Sequence, residues 1–192
     1  MKIKKILCSV LLATCMLFSL TACGSSNGSK GAKKADDSSK SGNITVGFSQ
    51  VGAESDWRTA NTQNYQDVFS EDAGYSLDLV DCDNDNAAQL EAVRTFISKD
   101  MDYIVIAPIQ SAGWDTVLQE AQDAGIPVII ADREIEASDD LYDAWVGTNT
   151  TNEGITAGNW LAEYLGDKDA NILVIEGSVG ASAALGRTEG FN

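Results

Sequence analysis

No histidine occurs anywhere in the 192 residues. That absence excludes Ser-His-Asp and Cys-His nucleophilic catalysis and HExxH zinc sites, and it removes the side chain that most readily carries a proton near neutral pH. Basic residues are scarce too. Thirteen Lys and Arg stand against 29 Asp and Glu, for a formal charge of −16. A nucleic-acid partner demands Lys and Arg against phosphate, so none is expected, and the acidity serves solubility. A long apolar run is also missing: Ile6 to Leu20 is shorter than the roughly 20 residues of a spanning helix.

What the start of the chain does have is a secretion signal. Lys2, Lys4 and Lys5 form a positive n-region ahead of that apolar stretch, and "LTACG" follows at 20–24. The pentapeptide resembles the bacterial lipobox, which implies cleavage after residue 22 and lipid on Cys23. An ordinary signal peptide cut near Ala22 is the alternative. Residues 1–22 are thus read as a lipoprotein signal peptide. Residues 23–42 lack any aromatic or any aliphatic larger than Ala, cannot bury a core, and are read as a flexible tether. The expected location is extracytoplasmic, on the cell membrane through a lipid anchor whose burial contributes about 0.8 kcal/mol per methylene. Of the four Cys, Cys8 and Cys15 leave with the signal and Cys23 carries lipid. Cys82 then has no partner for a disulfide and reads as a small buried apolar residue.

From residue 43 onward short apolar runs alternate with segments at helical spacing. Strands are predicted at 44–49, 75–80, 103–108, 126–131, near 143–148 and at 171–177. Between them fall helices marked by Trp57, Asn61, Asn64, Tyr65, Val68 and Phe69, by Leu90, Val93, Phe96 and Ile97, by Trp114, Val117, Leu118 and Ala121, and by 153–165. A further helix begins at "GRTEGFN". This alternation predicts an α/β fold, a doubly wound parallel sheet covered on both faces. Right-handed crossovers put every strand's carboxyl end on one edge, where ligands of such sheets bind. Asp132 and Arg133 stand there, as do residues 49–58 after the first strand and 108–114 after the third.

Three motifs compete for a function. In "DCDNDNAAQLE", Asp81, Asp83 and Asp85 have calcium-loop spacing, but Asn86 and Ala92 replace the required Gly and Glu. A solvated turn with Asp85 or Asn86 capping the next helix explains the run without a metal. "EGSVGASAALGR" follows a strand and is Gly-rich, yet it lacks both the P-loop GK[ST] and the GxGxxG spacing. "FSQVGAESDWR" says more, because Glu54, Ser55, Asp56, Trp57 and Arg58 crowd acid, indole and base beside a helix start. Capping accounts for one of them. Carboxylates accept from vicinal hydroxyls, guanidinium donates to hydroxyls or ring oxygen, and indole covers the C–H face of a sugar. A small neutral polyol is therefore the expected ligand, with a purely structural ion-pair cluster as the alternative.

The segments "GFSQVGAESDWR", "IAPIQSAGWDTVLQEAQDAGIPVIIADR" and "EGSVGASAALGRTEGF" resemble the type 1 periplasmic sugar-binding proteins of ABC importers, particularly the galactofuranose-binding group and its lipoprotein relatives. The resemblance covers about residue 44 to the last. It implies two α/β lobes that close on one monosaccharide and deliver it to ABC permease subunits, with no cofactor, no metal and no catalytic residue, the protein being a monomer. The first lobe would span 43–148, with Thr148 to Thr150 as the first hinge crossing, and 149–192 would open a truncated second lobe. By the same resemblance Glu54, Ser55, Asp56, Trp57, Arg58, Asp132, Arg133 and Arg187 contact a galactofuranose-like ligand. Asp56 stands where the galactofuranose-binding group has a smaller residue.

Three rival functions follow from the same residues. Glu54 and Asp132 could serve a glycoside hydrolase as its carboxylate pair, but each has an Arg close in sequence that would pair with the ionised carboxylate, against general-acid work. A transcription regulator's effector domain would carry a basic helix-turn-helix in place of the lipobox. A ligand-sensing partner of a membrane receptor would differ only in what reads the closed state.

Overall fold

The computed structural model describes residues 42–192. The signal peptide, Cys23 and nearly all of the tether lie outside the described residues. Five parallel strands form one sheet in the order β2-β1-β3-β4-β5: β1 Ile44–Gln50, β2 Tyr75–Asp81, β3 Tyr103–Ile106, β4 Val128–Asp132 and β5 Ala144–Gly147. The helices between them are α1 Asp56–Val68, α2 Asn86–Ser98 and α3 Asp115–Asp123. The order reverses at β1, so the first crossover runs one way and the later ones the other. That makes the sheet doubly wound, with its switch point between β1 and β3.

Alternation along β1 shows both faces being covered. Phe48 stacks on Tyr65 of α1 at 4.0 Å between ring centroids, while the neighbouring Gly47 has the Phe96 ring of α2 where a β-carbon would sit. Phe48, Val93, Phe96, Ile104, Ile106, Val117, Leu118 and Ile130 are all sealed from solvent, as apolar runs buried on two faces require. Asp85 caps α2 through the backbone N–H groups of Ala87 and Ala88, which is the capping role expected of it. Cys82 is free and buried, with its thiol pushed up by desolvation.

The α1 stripe differs from expectation by one residue. The inward positions are Arg58, Asn61, Thr62, Tyr65 and Phe69, while Trp57, Asn64 and Val68 face solvent. Stacking of Tyr65 on Phe48 and Phe69 sets this phase, and the pull of Arg58 toward the sheet outweighs the apolarity of Trp57 and Val68. Strand ends also shift: β3 stops at Ile106, and β4 starts only after Pro127, which has no N–H to pair.

Beyond β5 the chain enters α4, Thr150–Leu165, and α5, Ser182–Phe191. Asn149 caps α4 by accepting from the Asn152 N–H at 2.9 Å, so the helix begins three residues before the predicted Glu153 and takes in Thr150 from the expected crossing. The two helices cross backbone to backbone. A β-carbon on Gly154 would strike the Arg187 carbonyl, and one on Gly190 the Thr151 carbonyl. The predicted sixth strand does not form: residues 171–177 carry no regular structure. Their hydrophobicity suits a strand, but a strand exists only through hydrogen bonds to a neighbour, and no described residue supplies one.

Candidate functional site

The site begins with a helix cap. Ser55 holds extended geometry and its Oγ accepts from the Arg58 N–H at 3.2 Å, which sets Asp56, Trp57 and Arg58 on the first turn of α1. Arg58 turns inward to 2% exposure, whereas Trp57 stays 58% exposed with its ring 4.8 Å from the Arg58 guanidinium carbon. One face of the indole thus covers the cation. The other side chains of the turn remain accessible at the rim.

β4 supplies the opposite side. Its last residue, Asp132, has φ of 68°, and the Arg133 N–H donates back to the Ala131 carbonyl at 2.9 Å. This i to i+2 bond around a left-handed residue is a γ-turn of the strained hand, at a cost of about 1–3 kcal/mol. Its effect is on direction. Successive residues of a strand point to opposite faces, but here both side chains reach the same polar chain. Asp132 pairs in register with Gly147 of β5, and a β-carbon there would collide with the Asp132 carbonyl, so the turn requires glycine beside it.

Acid and base then alternate across the rim. Asp132 Oδ2 accepts from Arg58 Nη2 at 2.7 Å, Arg58 Nη2 lies 3.6 Å from Glu54 Oε1, and the same Glu54 oxygen accepts from Arg133 Nη2 at 2.9 Å. Two carboxylates and two guanidinium groups cancel in charge. Even so, Arg58 Nε, Arg58 Nη1 and Arg133 Nη1 are shielded from solvent and have no hydrogen-bond partner. Below them Tyr65 has its phenol pKa raised, first by burial and then by Asp132, with Arg58 opposing.

The eight predicted ligand residues are therefore not equivalent. Glu54, Arg58, Asp132 and Arg133 form one chain with Trp57 laid over it; Ser55 serves as the cap; Asp56 is exposed beside them. Arg187 stands apart from that chain. It donates through Nε to Glu153 Oε2 at 2.8 Å, and this bond, with another from Thr148, holds the Glu153 carboxyl below its ordinary range. Arg133 and Arg187 do line one cavity of about 900 Å³, but much of its wall is apolar, with Leu161, Phe191 and residues 172–175. That lining is suited to apolar filling, not to a polyol, so the polar rim is the better site.

Two buried glutamines escaped the sequence reading. Gln50 Nε2 donates to Asn61 Oδ1 and Thr62 Oγ1, both at 3.0 Å, tying the end of β1 to α1 one turn beyond Arg58. Gln89 Nε2 donates to the Ala107 carbonyl and its Oε1 accepts from the Ile109 N–H, both at 2.8 Å. Nothing in the local sequence distinguishes them from solvated glutamines, since each takes its partners from a distant element.

Comparison with known proteins fits this geometry. A family model described as "Periplasmic binding protein domain" matches residues 46–192. The galactofuranose-binding protein YtfQ of Escherichia coli K12 is 42% identical over 149 residues, which is 77% of this chain and 46% of that protein. A Mycobacterium smegmatis protein solved in complex with β-D-fucofuranose superposes with TM-score 0.73 at 41% identity, over 77% of this chain and 49% of its own. The binding component of an arabinose ABC transporter from Shewanella sp. ANA-3, bound to L-arabinofuranose, gives TM-score 0.70 at 40% identity, over 77% and 49%. The chain spans about half the length of the curated relatives it matches.

Proposed function

The chain belongs to the periplasmic binding protein domain family, and from that premise we propose that it captures a furanose monosaccharide for an ABC importer. The family is one of binding proteins, not enzymes, which removes the hydrolase reading of Glu54 and Asp132. The observation that carries the proposal is the charge-neutral chain Asp132-Arg58-Glu54-Arg133 with its three unpartnered guanidinium nitrogens. Shielded donors without acceptors are costly, about 1–3 kcal/mol each, and call for a polar molecule at that edge. A charged ligand would unbalance the chain, while sugar hydroxyls can accept from guanidinium and donate to carboxylate at once. The exposed Trp57 face suits the apolar side of a sugar ring.

Several relatives support the furanose form, since three of them are named for, or solved with, galactofuranose, fucofuranose and arabinofuranose. In this reading Glu54, Asp56, Trp57, Arg58, Asp132 and Arg133 make the first wall of the cleft, and Ser55 sets their geometry. Arg187 contributes from the opposing part, and closure of the two parts presents the loaded protein to permease subunits. Lipid on Cys23 and the tether over 23–42 keep the protein beside that permease.

Calorimetric titration of the longest reading frame containing these residues tests the proposal, with furanose and pyranose sugars in parallel. Furanoses should bind preferentially. Asp132→Ala removes charge-assisted bonds worth about 2–3 kcal/mol, so its affinity should fall about 100-fold. Absence of furanose binding, or an unchanged affinity in Asp132→Ala, refutes the reading.

A further inference from the structure

The loop between β3 and α3 is fixed far more firmly than a crossover requires. Gln89 holds the Ile109 N–H, the indole N–H of the fully buried Trp114 donates to the Gln110 carbonyl at 2.8 Å, and Glu136 grips Ser111 twice. The Ser111 hydroxyl donates to Glu136 Oε1 at 2.8 Å, and the Glu136 N–H donates to the Ser111 carbonyl at 2.7 Å. The Ser111 N–H donates to the Gly180 carbonyl at 2.9 Å, a bond that joins the sheet's rim to the turn just ahead of α5.

That turn is shaped to be received. The Ala181 N–H donates to the Ser178 carbonyl at 3.1 Å, Gly180 has φ of 80°, and Ala181 is buried. A β-carbon on Gly180 would lie 3.7 Å from the Gln110 side chain, so the turn faces that residue. Ala181 in turn caps α5, the helix that carries Arg187.

We propose that Glu136 and Ser111 are positioning residues: they hold the loop after β3 as a seat for the turn 178–181, and the seated turn fixes where α5 sets Arg187 in the cavity it shares with Arg133. Glu136 need not touch a ligand for this. The claim about Arg187 rests on the sugar-binding reading above; the seat itself does not.

Site-resolved amide hydrogen exchange on the chain tests the seat without any ligand. In Glu136→Ala the Ser111 and Ala181 amides should exchange about tenfold faster, the effect of losing one hydrogen bond, with β1 amides unchanged. Glu136→Gln keeps an acceptor at Oε1 and should restore protection. Ser111→Ala removes the same hydroxyl bond from the other partner and provides a second variant if Glu136→Ala folds poorly. Unchanged exchange at Ser111 and Ala181, or equal acceleration in β1, overturns the seat. In a second arm, arabinofuranose affinity should drop about tenfold in Glu136→Ala and recover in Glu136→Gln. Faster exchange with unaltered affinity overturns the positioning of Arg187. A wild-type protein that binds no furanose refutes the sugar-binding reading, while exchange still decides the seat.

Discussion

The sheet of residues 44–147 and the helical pair that follows solve the burial problem differently. In the sheet the inner strands β1, β3 and β4 have hydrogen-bonded neighbours on both sides and helices against their faces, so Phe48, Ile104, Ile106 and Ile130 are wholly enclosed, while the edge strand β5 leaves Val146 exposed. In the second region α4 and α5 pack well, because two helices satisfy their own backbones and need only close approach at Gly154 and Gly190. The apolar segment between them does not. Leu173 is 87% exposed and Ile175 90%, since a strand's hydrogen bonds must come from another segment. Helices form where local spacing permits. Strands form where the rest of the fold provides an edge.

The largest effect that would break this comparison is in the sheet. Phe48→Ala should cost about 3–5 kcal/mol, as large-to-small changes at sealed aromatic sites do, read as a lowered denaturant midpoint. A cost below about 1 kcal/mol would mean that the β1 layer is not the centre of stability.

A smaller, pH-dependent effect belongs to the helical pair. Arg187 holds the Glu153 carboxyl below its ordinary value of 4.5. A carboxyl depressed in the folded state stabilises above the unfolded value, and that stabilisation fades as pH falls through the folded value. Arg187→Met should therefore melt below wild type at neutral pH, with the difference shrinking as pH falls below the ordinary carboxyl value of 4.5. Melting differences that persist in acid would show Arg187 acting through packing instead. Both side chains are largely solvated, so the shift should be modest.

The smallest effect is expected at Leu173. Leu173→Ser should leave the midpoint within about 0.5 kcal/mol, as exposed substitutions do. A loss well above that would reveal packing of residues 171–177 in solution and erase the contrast between the regions.

Residue spacing located five α-helices and five strands, because buried parallel strands read as short apolar runs and crossover helices repeat every three to four residues. Spacing set the starts of α4 and α5 three and four residues late and missed the short 3-10 helices Glu71–Ala73 and Asp139–Leu141. It misphased α1. Trp57 and Val68 look like core, but the buried Arg58 gains an acid partner 74 positions away, and no local window contains that pairing. It also turned 171–177 into a strand, since hydropathy registers the wish to be buried and not the presence of a partner. At the rim, Glu54, Trp57, Arg58, Asp132 and Arg133 could be named from residue type and their place after strands. Their alternation as one chain, the γ-turn at Asp132 and the seat around Ser111 could not.

By itself the sequence determined the parallel α/β plan, the edge onto which the strands' carboxyl ends open and the side chains offered there. These depend on local spacing and on a handedness common to all L-amino-acid chains. Tertiary structure alone decided which acid meets which base, that Arg58 is sealed while Trp57 is open, and that Gly180 rests on Ser111. Those choices depend on distances between elements remote in the chain, and only the packed sheet and its covering helices fix them.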